Sequence, residues 1–180
     1  MTIGVAVRRT INSGRVRIDL SPAMTHDERQ GFLAGMHVGI FSLAQDMQAP
    51  LSLPAWYAYT PGEDVRVFVT PDDPRTPLLR GLPPASLCVQ DEMPPYRYVS
   101  VEGPVVALVP VDREQEYWPL ILRYLPEMWA QGYLHHTWPE GDDRADPMLF
   151  AHLRPDVWRA VNYYEEYVAF LGGRRGQDAG

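Results

Sequence analysis

A mainly β fold, closed or nearly closed into a barrel with short helices around it, is predicted by three observations. Residues 37–106 hold four runs of β-type residues, separated by turn chemistry and one short helical segment. The last of these runs, Tyr96–Val109, is long and carries Gly103-Pro104 inside it, where a strand can bend or bulge toward closure. The helical patterns are few and short, and antiparallel strands with few helices bury their apolar faces by curling or stacking.

The elements follow in order. Val5 and Val7, then Val16, Ile18 and Leu20, flank the turn residues Asn12-Ser13-Gly14. Residues 1–24 are therefore an N-terminal extension, either a hairpin or a partly ordered tail. Thr25-His26-Asp27-Glu28 forms a capping box, and Phe32, Leu33 and Met36 give the stripe of a helix over about 25–36. Three strands are expected at His37–Leu43, Leu51–Tyr59 and Val65–Thr70, the last two joined by the turn Pro61-Gly62-Glu63-Asp64. They read as an antiparallel meander. Residues 71–82 read as a short crossover helix, Ala85–Gln90 as a buried strand, and Pro94-Pro95 as a stiff turn. Asp112–Gln131 is helical, opened by an Asp112 cap with Gln115 three residues on, and kinked or split at Pro119 and Pro126. A polar loop, Trp138–Pro147, leads to two final strands at Met148–Leu153 and Val157–Tyr164. Residues 25–171 form the domain, and 172–180 are expected to be a disordered tail.

Composition bounds the function. A chain of 180 residues is one domain, or one domain with an extension, and buries a core without help from metal or disulfide. The net charge of −7 disfavours nucleic acid as a partner. No apolar run approaches a membrane span, and Arg8 and Arg9 are not followed by the apolar stretch of a signal peptide. A cytoplasmic location is the resulting expectation. The lone Cys88 sits in a strand pattern and reads as a small core thiol. All basic residues are arginine, so a bound phosphate must be held by Arg, hydroxyls or main-chain N–H groups.

Four local words stand in order: His37-Val38-Gly39-Ile40-Phe41-Ser42, Pro54-Ala55-Trp56-Tyr57-Ala58-Tyr59, Ser86-Leu87-Cys88-Val89, and Pro94-Pro95-Tyr96-Arg97-Tyr98-Val99-Ser100-Val101-Glu102-Gly103. With their spacing, they resemble the flavin-binding split-barrel proteins related to pyridoxamine 5'-phosphate oxidase. The resemblance covers roughly residues 25–109. It implies a six-stranded antiparallel split β-barrel of the FMN-binding type, a homodimer with sites at its interface, and FMN or the deazaflavin F420 as cofactor, FMN ranking first.

In that family a threonine ends the third strand, and a following Ser-Arg-Lys triplet holds the flavin phosphate. The matching segment here is Thr70-Pro71-Asp72-Asp73-Pro74-Arg75-Thr76. Thr70 and Arg75 match; Pro74 replaces the serine and Thr76 the lysine. The resemblance thus assigns phosphate to Thr70, Arg75 and Thr76, with Arg80 one helical turn beyond. Each charge-assisted bond that is missing weakens binding by ~1.5–3 kcal/mol. The family also lays the flavin ring against the second strand, which here is Ser52, Leu53, Pro54, Ala55, Trp56 and Tyr57. The cofactor would carry the redox chemistry, and no catalytic acid or base is evident. By the same resemblance Tyr96, Arg97 and Tyr98 could face the dimer cleft, the alternative being cross-strand packing of paired aromatics.

Other constellations carry less. His135-His136 lacks metal-ligand spacing, and Asp142, Asp143 and Asp146 lack the spacing of a calcium loop. The function implied is hydride transfer by a flavin- or deazaflavin-dependent oxidoreductase acting on a small molecule. The alternative is a non-catalytic split-barrel binding protein with a degenerate phosphate site, carrying haem or another planar ligand.

Overall fold

The computed structural model describes residues 6–12, 15–21, 23–141 and 146–175, with side chains described for 23–141 and 146–171. The alternating runs become strands whose apolar positions share one interior. β3 (Gly39–Leu43) pairs with β4 (Leu51–Ala55) on one side and β7 (Pro84–Gln90) on the other. β8 (Arg97–Pro110) pairs through its first half with β7 and with β10 (Val157–Asn162). Its second half pairs with β9 (Leu149–Leu153), and β9 with β6 (Val65–Val69). β6 finally pairs with β5 (Tyr57–Ala58). Phe41, Leu43, Val65, Val67, Leu87, Val89, Val99 and Val101 are fully enclosed within this wall.

One expectation is corrected here. Leu51–Tyr59 is not one strand; it breaks at Trp56 into β4 and β5, which belong to different edges of the sheet. Because β4 and β5 are consecutive in the chain, this bent strand joins the two edges of the curled sheet. The Phe68 N–H reaches the Trp56 carbonyl at 2.9 Å across the junction. Trp56 itself turns away to stack on Tyr124, with ring centroids 4.8 Å apart and planes at 6°. The Tyr124 hydroxyl accepts the Tyr57 N–H at 3.0 Å and stands 2.9 Å from the His37 carbonyl and 3.0 Å from that of Tyr57. One phenolic proton serves one carbonyl at a time. Tyr124→Phe is expected to cost about 1–3 kcal/mol, since it strips the partner from a half-buried N–H at the break. The urea midpoint reads this, and an unchanged midpoint would show that the clamp is idle.

The second bend lies in β8, where the register shifts between Val105 and Ala107, just after the predicted Gly103-Pro104. The chain between β9 and β10 lies against this bend. Arg154 N–H donates to the Pro104 carbonyl at 3.1 Å, and Asp156 N–H to that of Glu102 at 3.0 Å.

Helices cover the ends and one flank. α1 (His26–Ala34) carries the capping box: Thr25 Oγ1 accepts from Glu28 N–H, and the Glu28 carboxylate from Thr25 N–H. Arg123 donates to the Ala34 and Gly35 carbonyls, supplying the positive charge that the last turn of α1 lacks. The predicted crossover helix shrinks to α2 (Thr76–Leu79). The predicted 112–131 helix is three pieces: a π-helical turn Arg113–Tyr117, α3 (Trp118–Tyr124) and α4 (Glu127–Thr137). Pro119 sits in the first turn of α3, directly after the π-helical turn, and Pro126 just before α4, where a missing N–H costs nothing. Asp112 caps the first piece as expected, but Glu116, not Gln115, accepts its N–H. Phe68, Phe150, Tyr117, Leu120 and Ile121 form a second core under these helices.

At the N-terminus β1 (Ala6–Asn12) and β2 (Arg15–Ser21) form the hairpin; residues 13–14 lie outside the described residues. α5 (Tyr164–Arg175) replaces the start of the expected tail, and residues 176–180 lie outside the described set. It also takes the end of the last strand, which stops at Asn162. Among the described residues no helix is long and apolar enough to cross a membrane.

Candidate functional site

The loop after β6 folds back on itself. Thr76 Oγ1 donates to the Thr70 carbonyl at 2.9 Å, and the Asp73 N–H reaches the same oxygen at 3.1 Å. This tight turn swings Arg75 inward, leaving it 3% exposed. Its Nε donates to Asp73 Oδ1 at 2.9 Å and a terminal nitrogen to Oδ2 at 2.5 Å. The remaining donors reach the Leu53 carbonyl at 3.2 Å and the Pro54 carbonyl at 3.5 Å, both on β4. The guanidinium also lies over the Phe41 ring.

Arg75 therefore fastens the loop to the barrel, and the guanidinium expected to meet a phosphate is here taken up by Asp73 and the Leu53 and Pro54 carbonyls. Thr76 is buried and its hydroxyl spent on Thr70, so it too offers nothing outward. Thr70 is half-buried, and Arg80 is exposed beyond α2. Burial alone would raise the Asp73 carboxyl, but hydrogen bonds from the Arg75 side chain and main chain, with the Arg75 charge, hold it below the ordinary carboxylate value.

The second strand divides by alternation. Ser52 and Pro54 face outward and are exposed, whereas Ala55 and Tyr57 are buried and Leu53 half-buried. The Tyr57 hydroxyl donates to the Leu33 carbonyl at 2.7 Å, and burial pushes that phenol far above its usual range. Trp56 belongs to the aromatic layer under α3 and α4. Of the six residues expected along a ring ligand, only Ser52 and Pro54 present side chains to the open face. The strand also has few main-chain donors to give: Pro54 has no N–H, and that of Tyr57 is bound to Tyr124.

That open face carries a pattern sequence reasoning did not collect. Register aligns Ser52 with Ser42, Ser42 with Ser86, Ser86 with Glu102, and Glu102 with Val157, one row across five strands. Ser42 and Ser52 hydroxyls are 2.8 Å apart. Glu102 is ion-paired with Arg159. A groove of about 800 Å³ runs along this row. The next row, Pro54, Ile40, Cys88, Ser100 and Arg159, adds apolar surface, with Ile40 43% exposed. Burial pushes the Cys88 thiol up, so it is not a thiolate nucleophile at neutral pH. The available signal was four serines at outward positions of otherwise apolar strands. Tyr96 and Arg97 are exposed at the start of β8, where Arg97 pairs with Asp91 at 2.6 Å.

No family model matches this sequence, and no curated protein does either. Solved structures do match. An F420 reductase superposes with TM-score 0.54 at 23% identity, over 72% of this chain and 94% of that one. A conserved hypothetical protein of Mycobacterium tuberculosis gives 0.55 at 16% identity, over 78% and 86%. An FAD-binding protein of Mesorhizobium loti gives 0.50 at 19% identity, over 87% and 96%. The chain is a split-barrel protein, of the fold shared by the pyridoxamine 5'-phosphate oxidase-like proteins.

Proposed function

We propose that the chain binds a flavin or deazaflavin ring in the groove across Ser52, Ser42 and Ser86, and acts as an oxidoreductase on a small molecule. The observation that carries this reading is the hydroxyl-lined groove on the outer face of β4. It stands in a fold shared with an F420 reductase and an FAD-binding protein. On the family resemblance FMN ranks first and F420 second, with the phosphate of either lying away from the corner where Asp73 takes up Arg75.

When bound, the cofactor supplies hydride transfer. The chain supplies the rest. Small side chains leave room for a planar ring, serine hydroxyls donate to or accept from its heteroatoms, and Ile40 and Pro54 offer apolar contact. The groove is open in a single chain. A second copy packed on the same face would close it, exclude water, and bury the exposed Ile40 and Val157.

Titration with FMN and with F420, followed by fluorescence and absorbance, tests the reading. Saturable binding is expected, and Ser52→Trp, which fills the groove, should weaken it by about tenfold or more. Equal binding by the variant would move the ring elsewhere. Light scattering showing a monomer at micromolar concentration would remove the shared site.

The Asp73–Arg75 pair favours a second reading, a binding protein without turnover, because it takes the cation that would grip a phosphate. A haem-like absorbance band in the purified protein, in place of flavin bands, would select it.

A further inference from the structure

We propose that the corner between β4 and α2 is an anion site filled by the chain's own Asp73, which thereby decides against ligands that carry a phosphate there. The inference rests on the ring-binding reading above for its consequence, but not for its geometry.

Three N–H donors converge on one carboxylate. The Arg75 main-chain N–H and Nε meet Asp73 Oδ1 at 2.8 and 2.9 Å, and a terminal guanidinium nitrogen meets Oδ2 at 2.5 Å. The Leu53 and Pro54 carbonyls hold the other side of the guanidinium, so the fork points in one direction only. A guanidinium fork held this way accepts a carboxylate or a phosphate through the same pair of oxygens. The order of burial matters. The Arg75 side chain is 4% exposed and that of Asp73 13%, so the carboxylate lies on the solvent side and plugs the approach to the cation.

A carboxylate tethered two residues away competes at a high effective concentration, which a free anion does not match. The neighbouring Asp72 is exposed and adds like charge to the same loop. The native chain therefore takes a ring ligand with no anionic group directed at this corner. Removing the Asp73 carboxylate exposes a preformed fork of matching shape.

The test compares wild type with Asp73→Ala and Asp73→Asn. Thermal unfolding is followed with millimolar inorganic phosphate, against chloride at equal ionic strength, and riboflavin and FMN are titrated by fluorescence. Phosphate is expected to raise the melting temperature of Asp73→Ala by several degrees while leaving wild type unmoved. The FMN-to-riboflavin affinity ratio is expected to rise by about tenfold or more in the variant. Asp73→Asn keeps the side-chain shape without the charge, and reports in the same direction should the alanine variant fail to fold. Equal phosphate response in all three proteins, with an unchanged affinity ratio, would overturn the inference. If no protein binds either flavin, the ring-binding reading falls, and the phosphate-dependent melting still decides the anion site.

Discussion

Gly103→Ala is expected to destabilise the barrel by about 3 kcal/mol or more, a large share of the roughly 5–15 kcal/mol that holds a domain folded. A Cβ at position 103 would stand 1.9 Å from the Arg154 carbonyl oxygen and 3.2 Å from Asp156 N. Both are main-chain atoms, so no side-chain rotation relieves the overlap. The segment that would have to move is fastened to β8 on both sides of the glycine, through Pro104 and Glu102. Moving it also draws β10 away from β8, and with it Trp158, whose ring N–H donates to the Pro155 carbonyl at 3.2 Å. Denaturant unfolding read by tryptophan fluorescence measures the loss. A midpoint equal to wild type would show that the 154–156 segment shifts freely and that the close approach is incidental.

Arg75→Ala is expected to cost about 3–5 kcal/mol, because it leaves the enclosed Asp73 carboxylate without its cation. The Leu53 and Pro54 carbonyls lose their donors in the same step. The loss carries a pH signature. Asp73 is held below its ordinary value, so the stabilisation from the pair is complete above the ordinary carboxylate range. It fades as pH falls through the lowered value of Asp73. The variant never has that contribution. The gap between wild type and variant is therefore widest at neutral pH and narrows in acid. Urea midpoints for both proteins from pH 7 down to about pH 3 read this directly. A gap that stays constant over that range would mean that Asp73 and Arg75 are not coupled. A stable variant that had merely lost flavin affinity would restore Arg75 to the ligand site.

The barrel was legible because its strands obey period two over long stretches. Val65, Val67 and Val69 face inward as their alternation requires, and the Thr25–Glu28 box marks the start of α1 to within one residue. The break at Trp56 was not legible. Pro54 is the only local signal in Leu51–Tyr59, and it stands two residues before the break. What holds the break is Tyr124, which accepts the Tyr57 N–H from 67 positions further along the chain and which no local pattern exposes. The end of the chain was misread for a related reason. Gly172-Gly173 looks like the onset of a tail, yet α5 runs through both. At the loop after β6, chain order brought Thr70 and Arg75 into one turn, as their spacing implied. Whether a loop arginine turns out to a ligand or in to a carboxylate two residues back depends on the turn that Thr76 closes onto Thr70. That turn is a tertiary outcome, not a composition. The serine row stayed hidden because it exists only once register sets five strands side by side.

The pairing of β6 with β9 also sets a schedule for biosynthesis. Val65 pairs with Leu153, 88 positions apart, so one edge of β6 has no partner until β9 has left the ribosome. At about 5–20 residues per second, that interval is on the order of ten seconds. Throughout it the segment Val65-Arg66-Val67-Phe68-Val69 is a strand former with one charge and an unpaired edge, the kind of segment that joins a neighbouring chain. Arg66 is the single residue in that run that opposes such joining. In the finished protein the same arginine pairs with Glu116 at 3.2 Å, so one side chain guards the nascent strand and later ties it to the helical flank.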